Sequence, residues 1–417
     1  MAGPFYPKWK SKPKSPGSAP FKIDRARATR RSALGLLFGT PLLAACSSVQ
    51  QSLSSFSNPF SSPQAAAPTA APQPPVVAGN GQVKVGLLLP LSAAGNAGIA
   101  AQSMRSAAEM ALAEFQNPNI QLLIKDDAGN PQGAQQGTQQ ALDEGAEIIL
   151  GPLFAQSVPA AAQLTRARGV TLVAFSTDSS VAGRGVYLLS FLPESDVNRI
   201  IDYAAGTGKR SFAALLPDNA YGGVVEAAFK QAAPRKGGRI VAFEKYGADR
   251  GQAARNVAQA LTQADALFMA DDGEALASVA AALTAAGANL KNVQLLGTGL
   301  WDNPRVFATA ALQGGLYAAP DPAGFRSFSG RYRTRYGTDP VRTATLAYDA
   351  VALVAALART GGQHFAPDVL TNPSGFAGID GLFRFRSDGT NERGLAVMRV
   401  APGGGVPVAG SPKSFGA

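Results

Sequence analysis

The chain has 417 residues, 46% of them hydrophobic and 16% charged, which is too apolar for a disordered protein and too long for one small domain. One cysteine, Cys46, and one histidine, His364, exclude an internal disulfide and any multi-cysteine or clustered-histidine metal site. The net charge of +10 is local: residues 1–45 carry nine basic side chains against Asp24 alone, leaving 29 basic and 27 acidic for the rest. A near-neutral body has no electrostatic footprint for nucleic acid.

The first 45 residues have the order of an export signal. A basic region ends in Thr29-Arg30-Arg31-Ser32-Ala33-Leu34, which resembles a twin-arginine signal, although arginine pairs also occur in ordinary basic regions. The apolar run Ala33 to Ala45 would span roughly 20 Å as a helix, short of a ~30 Å hydrocarbon core. It ends at Leu43-Ala44-Ala45-Cys46, which resembles a bacterial lipobox, with Cys46 diacylated as the new N-terminus. Residues 46–82 contain no charge and are rich in Ser, Ala, Pro and Gln, so they read as a disordered tether. Two acyl chains make a stable anchor. Ser47 and Ser48 lack the aspartate that retains lipoproteins in the inner membrane, which points to a periplasmic protein on the outer membrane.

From Val83 the pattern alternates. Strands are expected at Val83 to Leu91, Ile120 to Ile124, Ala146 to Leu150 and Gly169 to Phe175. A helical stripe covers Gln102 to Phe115, and Asn130-Pro131 supplies a cap and a first-position proline for the next helix. Further strands are expected at Ser211 to Leu216, Ile240 to Phe243, Ala266 to Ala270 and Val293 to Leu296, with Ala-rich helices between them. Strand and helix in alternation imply an α/β protein with doubly wound parallel sheets. Some 335 residues exceed one such core, so two lobes are expected.

Catalytic patterns are weak, and no enzyme, metal or cofactor is implied. His364 lies in a Gly-rich loop with no serine elbow to serve, and Gly297-Thr298-Gly299 lacks the third glycine of a dinucleotide fingerprint. Asp126-Asp127 and Asp271-Asp272 follow strands, but adjacent residues there point apart, which suits capping better than a carboxylate dyad. Hydroxyl and aromatic residues instead gather after strand ends: Ser92, Ser157, Ser176, Thr177 and Tyr221. Ligands of open α/β sheets bind outside those ends. Hydroxyls and free N–H groups suit a carboxylate, and a tyrosine suits an apolar or planar body.

Several segments together resemble a family. Val85 to Ser92 (VGLLLPLS), Lys125 to Pro131 (KDDAGNP), Ile149-Leu150-Gly151-Pro152, Asp218 to Gly222 (DNAYG), Tyr348-Asp349-Ala350 and Gly378 to Phe385 (GIDGLFRF) are similar to type I periplasmic binding proteins of the leucine/isoleucine/valine-binding kind. The resemblance implies two lobes joined by a hinge of three crossings, with a ligand between them. Lobe one is expected at about 83–195 and 320–365, and lobe two at about 196–319 and 366–405. It also implies that Ser157, Ser176 and Thr177 hold a ligand carboxylate and that Tyr221 faces it from lobe two. No Glu stands near Gly299-Leu300-Trp301 for a ligand ammonium, so Asp271 and Asp302 are the nearest candidates. Trp301 is expected either at the crevice mouth or packed beneath a surface loop.

The implied function is an extracytoplasmic lipoprotein that closes on a small amino-acid-like ligand for an ABC permease. A second resemblance runs to outer-membrane activators of penicillin-binding proteins, tethered proteins of the same fold, through Leu300-Trp301-Asp302-Asn303. There the partner would be a penicillin-binding protein. In both cases the chain meets the membrane through Cys46. Cys46→Ala is therefore expected to abolish incorporation of radiolabelled fatty acid and leave uncleaved precursor; equal labelling of the variant would refute the lipid site.

Overall fold

The computed structural model describes residues 76–360 and 362–415; the export signal, Cys46 and the tether as far as residue 75 lie outside the described residues. The expected tether ends earlier than 82. Residues Val76–Ala78 (β1) pair antiparallel with Ile120–Asp126, Val76 opposite Ile124, because two β-branched residues complete an open sheet edge.

The first lobe then runs β2 (Val83–Leu89), α1 (Gly95–Glu114), β3 (Ile120–Asp126), α2 (Pro131–Asp143), β4 (Ile148–Leu150), α3 (Val158–Ala167), β5 (Thr171–Ala174) and β6 (Val186–Leu188). Apart from β1 its sheet is parallel, in the order β1-β3-β2-β4-β5-β6. Its strands are mostly buried and largely apolar, with Lys84, Gln121, Lys125 and Asp126 as exceptions in β2 and β3, as helices on both faces require. α2 starts where expected: Asn130 Oδ1 accepts the Gly133 N–H at 2.9 Å, and Pro131 takes the first helical position.

The second lobe repeats the plan with α4 (Pro193–Gly206), β7 (Ser211–Pro217), α5 (Ala220–Arg235), β8 (Arg239–Tyr246), α6 (Gly251–Ala260), β9 (Ala266–Met269), α7 (Gly273–Ala285), β10 (Gln294–Gly297), α8 (Pro304–Ala308) and β11 (Leu316–Ala319). All seven residues of β7 are buried, as a central parallel strand requires. The chain returns to the first lobe as α9 (Pro322–Tyr336), α10 (Ala344–Leu357) and α11 (Pro367–Leu370). α9 and α10 pack on α1 through Phe328, Tyr332, Leu346 and Val351 against Met110, Ala107 and Met104.

A small sheet of β12 (Phe376–Gly378), β13 (Gly381–Phe385) and β14 (Asn391–Arg393) precedes β15 (Ala396–Ala401) and β16 (Gly404–Ala409), which extend the second sheet beyond β11. The expected return to lobe two at 366 therefore comes later. Leu370, Phe383 and Phe385 belong to the first-lobe core, with the Tyr187 and Phe385 rings 5.4 Å apart, and lobe two resumes with Leu395 and Val397. The chain crosses between lobes at 189–192, 320–321 and 394–395.

Crossings one and three are tied at one carbonyl. Ser190 O accepts from Asn391 Nδ2 and from Arg393 Nε, both at 2.8 Å. Arg199 Nε donates to Leu395 O at 2.7 Å from the first turns of α4, adding a second tie. Three strands crossing in a bundle restrict relative motion to a hinge.

Trp301 does not line the crevice cavity; of its two expected placements the packed one is found, beneath the turn that carries the exposed Leu300. It is wholly buried in the second-lobe core with Leu295, Val306 and Tyr317, and its indole N–H donates to Met269 O at 3.0 Å. A Cβ on Gly297 or Gly315 would overlap the indole, so the glycine expected to mark a turn instead makes room for the ring. A ring held in a core cannot change its water exposure when lobes move. In protein lacking Trp9, emission is expected to be blue-shifted and insensitive to any added solute, and Trp301→Ala to cost ~3–5 kcal/mol in denaturant unfolding. Red, solute-sensitive emission would contradict this packing.

Candidate functional site

In each lobe the strand order places a switch point between the first and third parallel strands, β2/β4 and β7/β9. The carboxyl ends of both sheets face a common crevice, and a cavity of about 510 Å³ lies there. Thr177 reaches it from the loop after β5, and Tyr221 from the first turn of α5. Leu300 and Asp302 come from the turn after β10. The crossings and the helices that follow them supply more of the wall: Phe191 from the first crossing with Pro193 and Asp196 of α4, and Pro320 from the second with Pro322 of α9. Phe325 of α9 and Arg342, from the loop before α10, close the first-lobe side.

The polar groups in this crevice are held from behind. Tyr221 Oη and Thr298 Oγ1 are 2.8 Å apart, and burial pushes the phenol well above its usual range, so it stays a neutral donor or acceptor. Asp302 Oδ1 accepts from Tyr317 Oη at 3.3 Å. Asp196 Oδ2 accepts the Gly299 N–H at 2.9 Å; burial pushes its carboxyl up to about 7, against the pull of that hydrogen bond and of Arg393.

Arg342 forms the strongest pairing. Nη1 and Nη2 donate to Asp380 Oδ2 and Oδ1 at 2.9 and 2.6 Å, and Thr345 Oγ1 donates to the same carboxylate at 2.6 Å. Arg393, buried beyond Phe191, has Nη1 and Nη2 without hydrogen-bond partners among the described residues, and burial lowers its pKa. Its guanidinium carbon lies 4.7 Å from the Phe191 ring centre, and that of Arg342 lies 4.6 Å from the same ring.

Of the residues expected at the site, the structure brings Thr177, Tyr221 and Asp302 together in the cavity wall. The others are elsewhere. Ser92 is exposed on the loop after β2, its N–H donating to Asp126 Oδ1 at 3.2 Å. Ser157 is fully buried at the start of α3, and Ser176 is buried with its Oγ accepting the Asp178 N–H at 3.1 Å, closing the turn that presents Thr177. Asp271 accepts from Tyr246 Oη at 2.5 Å beneath the crevice floor, and Asp272 caps α7, so this pair is no dyad. Trp301 is core. Phe191, Asp196, Phe325 and Arg342 escaped sequence reasoning: each lies at a crossing or beside one, and the three-residue strand β6 that leads to Phe191 was too short to see.

The fold and this two-sided crevice define a two-lobed α/β binding protein. The periplasmic binding protein family profile matches residues 82–405, and the chain belongs to that family. Among solved structures it resembles a branched-chain amino acid ABC transporter protein from Rhodospirillum rubrum, with 19% identity and TM-score 0.68 over 78% of this chain and 99% of that one. A Desulfitobacterium hafniense ABC transporter substrate-binding protein in complex with Leu is 18% identical, TM-score 0.58, over 78% of this chain and 99% of its own. An ABC transporter solute-binding protein of R. palustris in complex with benzoate is also 18% identical, TM-score 0.55, over 81% and 98%. No curated protein matches the chain.

Beside the crevice, Asp127 is fully buried between Asp126 and the loop to α2. Its Oδ1 accepts the Gly129 N–H at 2.8 Å, while Oδ2 has no partner among the described residues. Burial, with Asp126 adding to it, raises its carboxyl to about 6. A carboxyl raised in the folded state holds its proton there while the unfolded chain releases it, so stability falls as pH rises from about 4 to 6 and stays reduced above. Asp127→Asn keeps the Gly129 hydrogen bond and removes the titration. It is expected to flatten that slope and gain on the order of 1–3 kcal/mol at pH 8, read by urea unfolding at pH 5 and pH 8. An unchanged slope would show that Asp127 does not titrate in this range.

Proposed function

We propose that this protein is an extracytoplasmic solute receptor that closes its lobes on one small molecule and presents it to an ABC permease, without catalysing a reaction. The observation that supports this most directly is the cavity itself. It is walled by both lobes and by two of the three crossings, so a bound solute would stabilise the closed arrangement over an open one. Nothing in its wall pairs a nucleophile with a base, whereas hydroxyl, carboxylate and aromatic groups converge as they do in binding pockets. The Leu and benzoate complexes of similar fold make a small carboxylate an apt solute class. Acylation at Cys46 would hold the receptor at the membrane while the tether gives it reach.

The activator reading draws on that anchor and on Leu300-Trp301-Asp302-Asn303. Only part of that loop is available to a partner, because Trp301 is core while Leu300 is 43% exposed. Pull-down from detergent-solubilised membranes separates the two readings: permease subunits support the receptor, and a peptidoglycan synthase supports the activator.

Thr177 is exposed and sits at a strand end, so its removal should leave the core intact. A hydrogen bond to a charged group is worth ~1.5–3 kcal/mol, so Thr177→Ala is expected to weaken solute binding by roughly ten- to a hundredfold with little change in unfolding temperature. Calorimetry on both proteins measures it; unchanged affinity would place the solute away from this loop.

A further inference from the structure

Residues 410–415 leave the second lobe after β16 and return to the first, a passage beyond the three crossings. Their root is fixed on lobe two. β16 pairs with β15 at the edge of the second sheet, and Val408 and Ala409 pack on that lobe's core. Arg199 of α4 donates from Nη2 to Gly410 O at 3.3 Å, while its Nε holds Leu395 O of the third crossing. From there the chain runs over that crossing. A Cβ on Gly394 would lie 3.0 Å from Pro412 Cγ, so the glycine permits the close approach of the proline ring.

The far end is Phe415, partly buried against the small sheet of the first lobe. The guanidinium carbon of Arg384, on β13, lies 4.6 Å from its ring centre. That guanidinium is itself held: Nε donates to Glu392 Oε2 at 3.0 Å and Nη1 to Pro373 O at 3.2 Å. A Cβ on Gly375 would come within 2.8 Å of the ring, so this position too must stay bare. Phe383 and Phe385, on either side of Arg384 in the strand, belong to the first-lobe core. Gly410 is thus bound to one lobe and Phe415 to the other. The residues from Ser411 to Phe415 span at most roughly 18 Å when extended, too short a link to follow a wide hinge excursion with both ends seated. We propose that residues 411–415 are a strap that limits relative motion of the lobes, with Phe415, seated on Gly375 and Arg384, as its releasable end. The periplasmic binding protein profile stops at residue 405, so the strap lies outside the part of the chain that the family pattern covers. Its role is the same whether the closing lobes serve a permease or a cell-wall synthase.

The bland alternative is that Phe415 only covers the small sheet, and a slackened link tells the two apart. Spin labels are attached to p-acetylphenylalanine placed at the exposed positions Gln136 of α2 and Gln259 of α6, so that Cys46 takes no part. Pulsed dipolar spectroscopy then reads the distance between the lobes in the full mature chain in detergent. Phe415→Ala unseats the far end, and deletion of residues 411–417 removes the strap. An insertion of about six Gly and Ser residues between Gly410 and Ser411 keeps both ends seated but lengthens the link. All three are expected to broaden the distance distribution by several ångströms, reaching separations absent from the wild type. Hydrogen exchange over residues 375–385 is expected to quicken in Phe415→Ala and to stay slow in the insertion variant. The insertion leaves every packing contact in place, so it carries the test even where the other two variants fail to fold. Wild-type distances in the insertion variant, with Phe415→Ala changing only exchange, would reduce Phe415 to a cover and overturn the strap. Wild-type distances in a folded deletion variant would overturn it as well.

Discussion

Asp380 sits in the turn between two short strands with none of its surface in water, and an isolated carboxylate in that position would not be tolerated. The charge is accepted because Arg342 meets both oxygens and Thr345 a third lone pair. Removing the guanidinium would leave a buried charge uncompensated, at a cost of ~3–5 kcal/mol. The pair joins the β12–β13 turn to the start of α10, and through α10 to α1, within the first lobe. The same bond holds Arg342 in the wall of the inter-lobe cavity.

Around that pair the crossings form a shared element rather than three separate linkers. Ser190 O receives two donors from β14, and the guanidinium carbons of Arg342 and Arg393 lie 4.6 and 4.7 Å from the Phe191 ring centre. Asp196 and Asp349 add carboxyls that burial raises to about 7, each facing Arg393 as a favourable charge. Movement of one lobe must rearrange these contacts together, which is how packed interfaces come to have discrete positions. The cavity borders this cluster through Phe191 and Asp196.

Membership of the family establishes the fold and the two-lobed plan, while the solute is decided by side chains laid over it. At under a fifth identity, proteins of this architecture are found with Leu and with benzoate. In this chain the first-lobe serines Ser157 and Ser176 are buried, and Thr177 lines the cavity together with Phe191, Phe325 and Arg342.

The strands and helices of both lobes were legible along the chain because each depends on neighbours a few residues away. Apolar runs such as Ser211 to Leu216 make central strands, Asn130 and Pro131 start a helix, and the repetition of this unit implies two lobes. Thr177, Tyr221 and Asp302 could be found as residues following strands, since topology alone sends those loops to the crevice. Arg342, Phe191 and Phe325 could not. Their roles come from partners 17 to 202 positions distant, and nothing near Arg342 in sequence marks Asp380 or Arg393 as its neighbours. Trp301 shows why two placements stayed open: a tryptophan after a glycine turn has the same local pattern whether the ring faces a crevice or fills a core. Local sequence carries backbone propensity and hydrophobic periodicity; only the packing of distant segments decided which side chains line the crevice cavity, because burial depends on what lies across the gap.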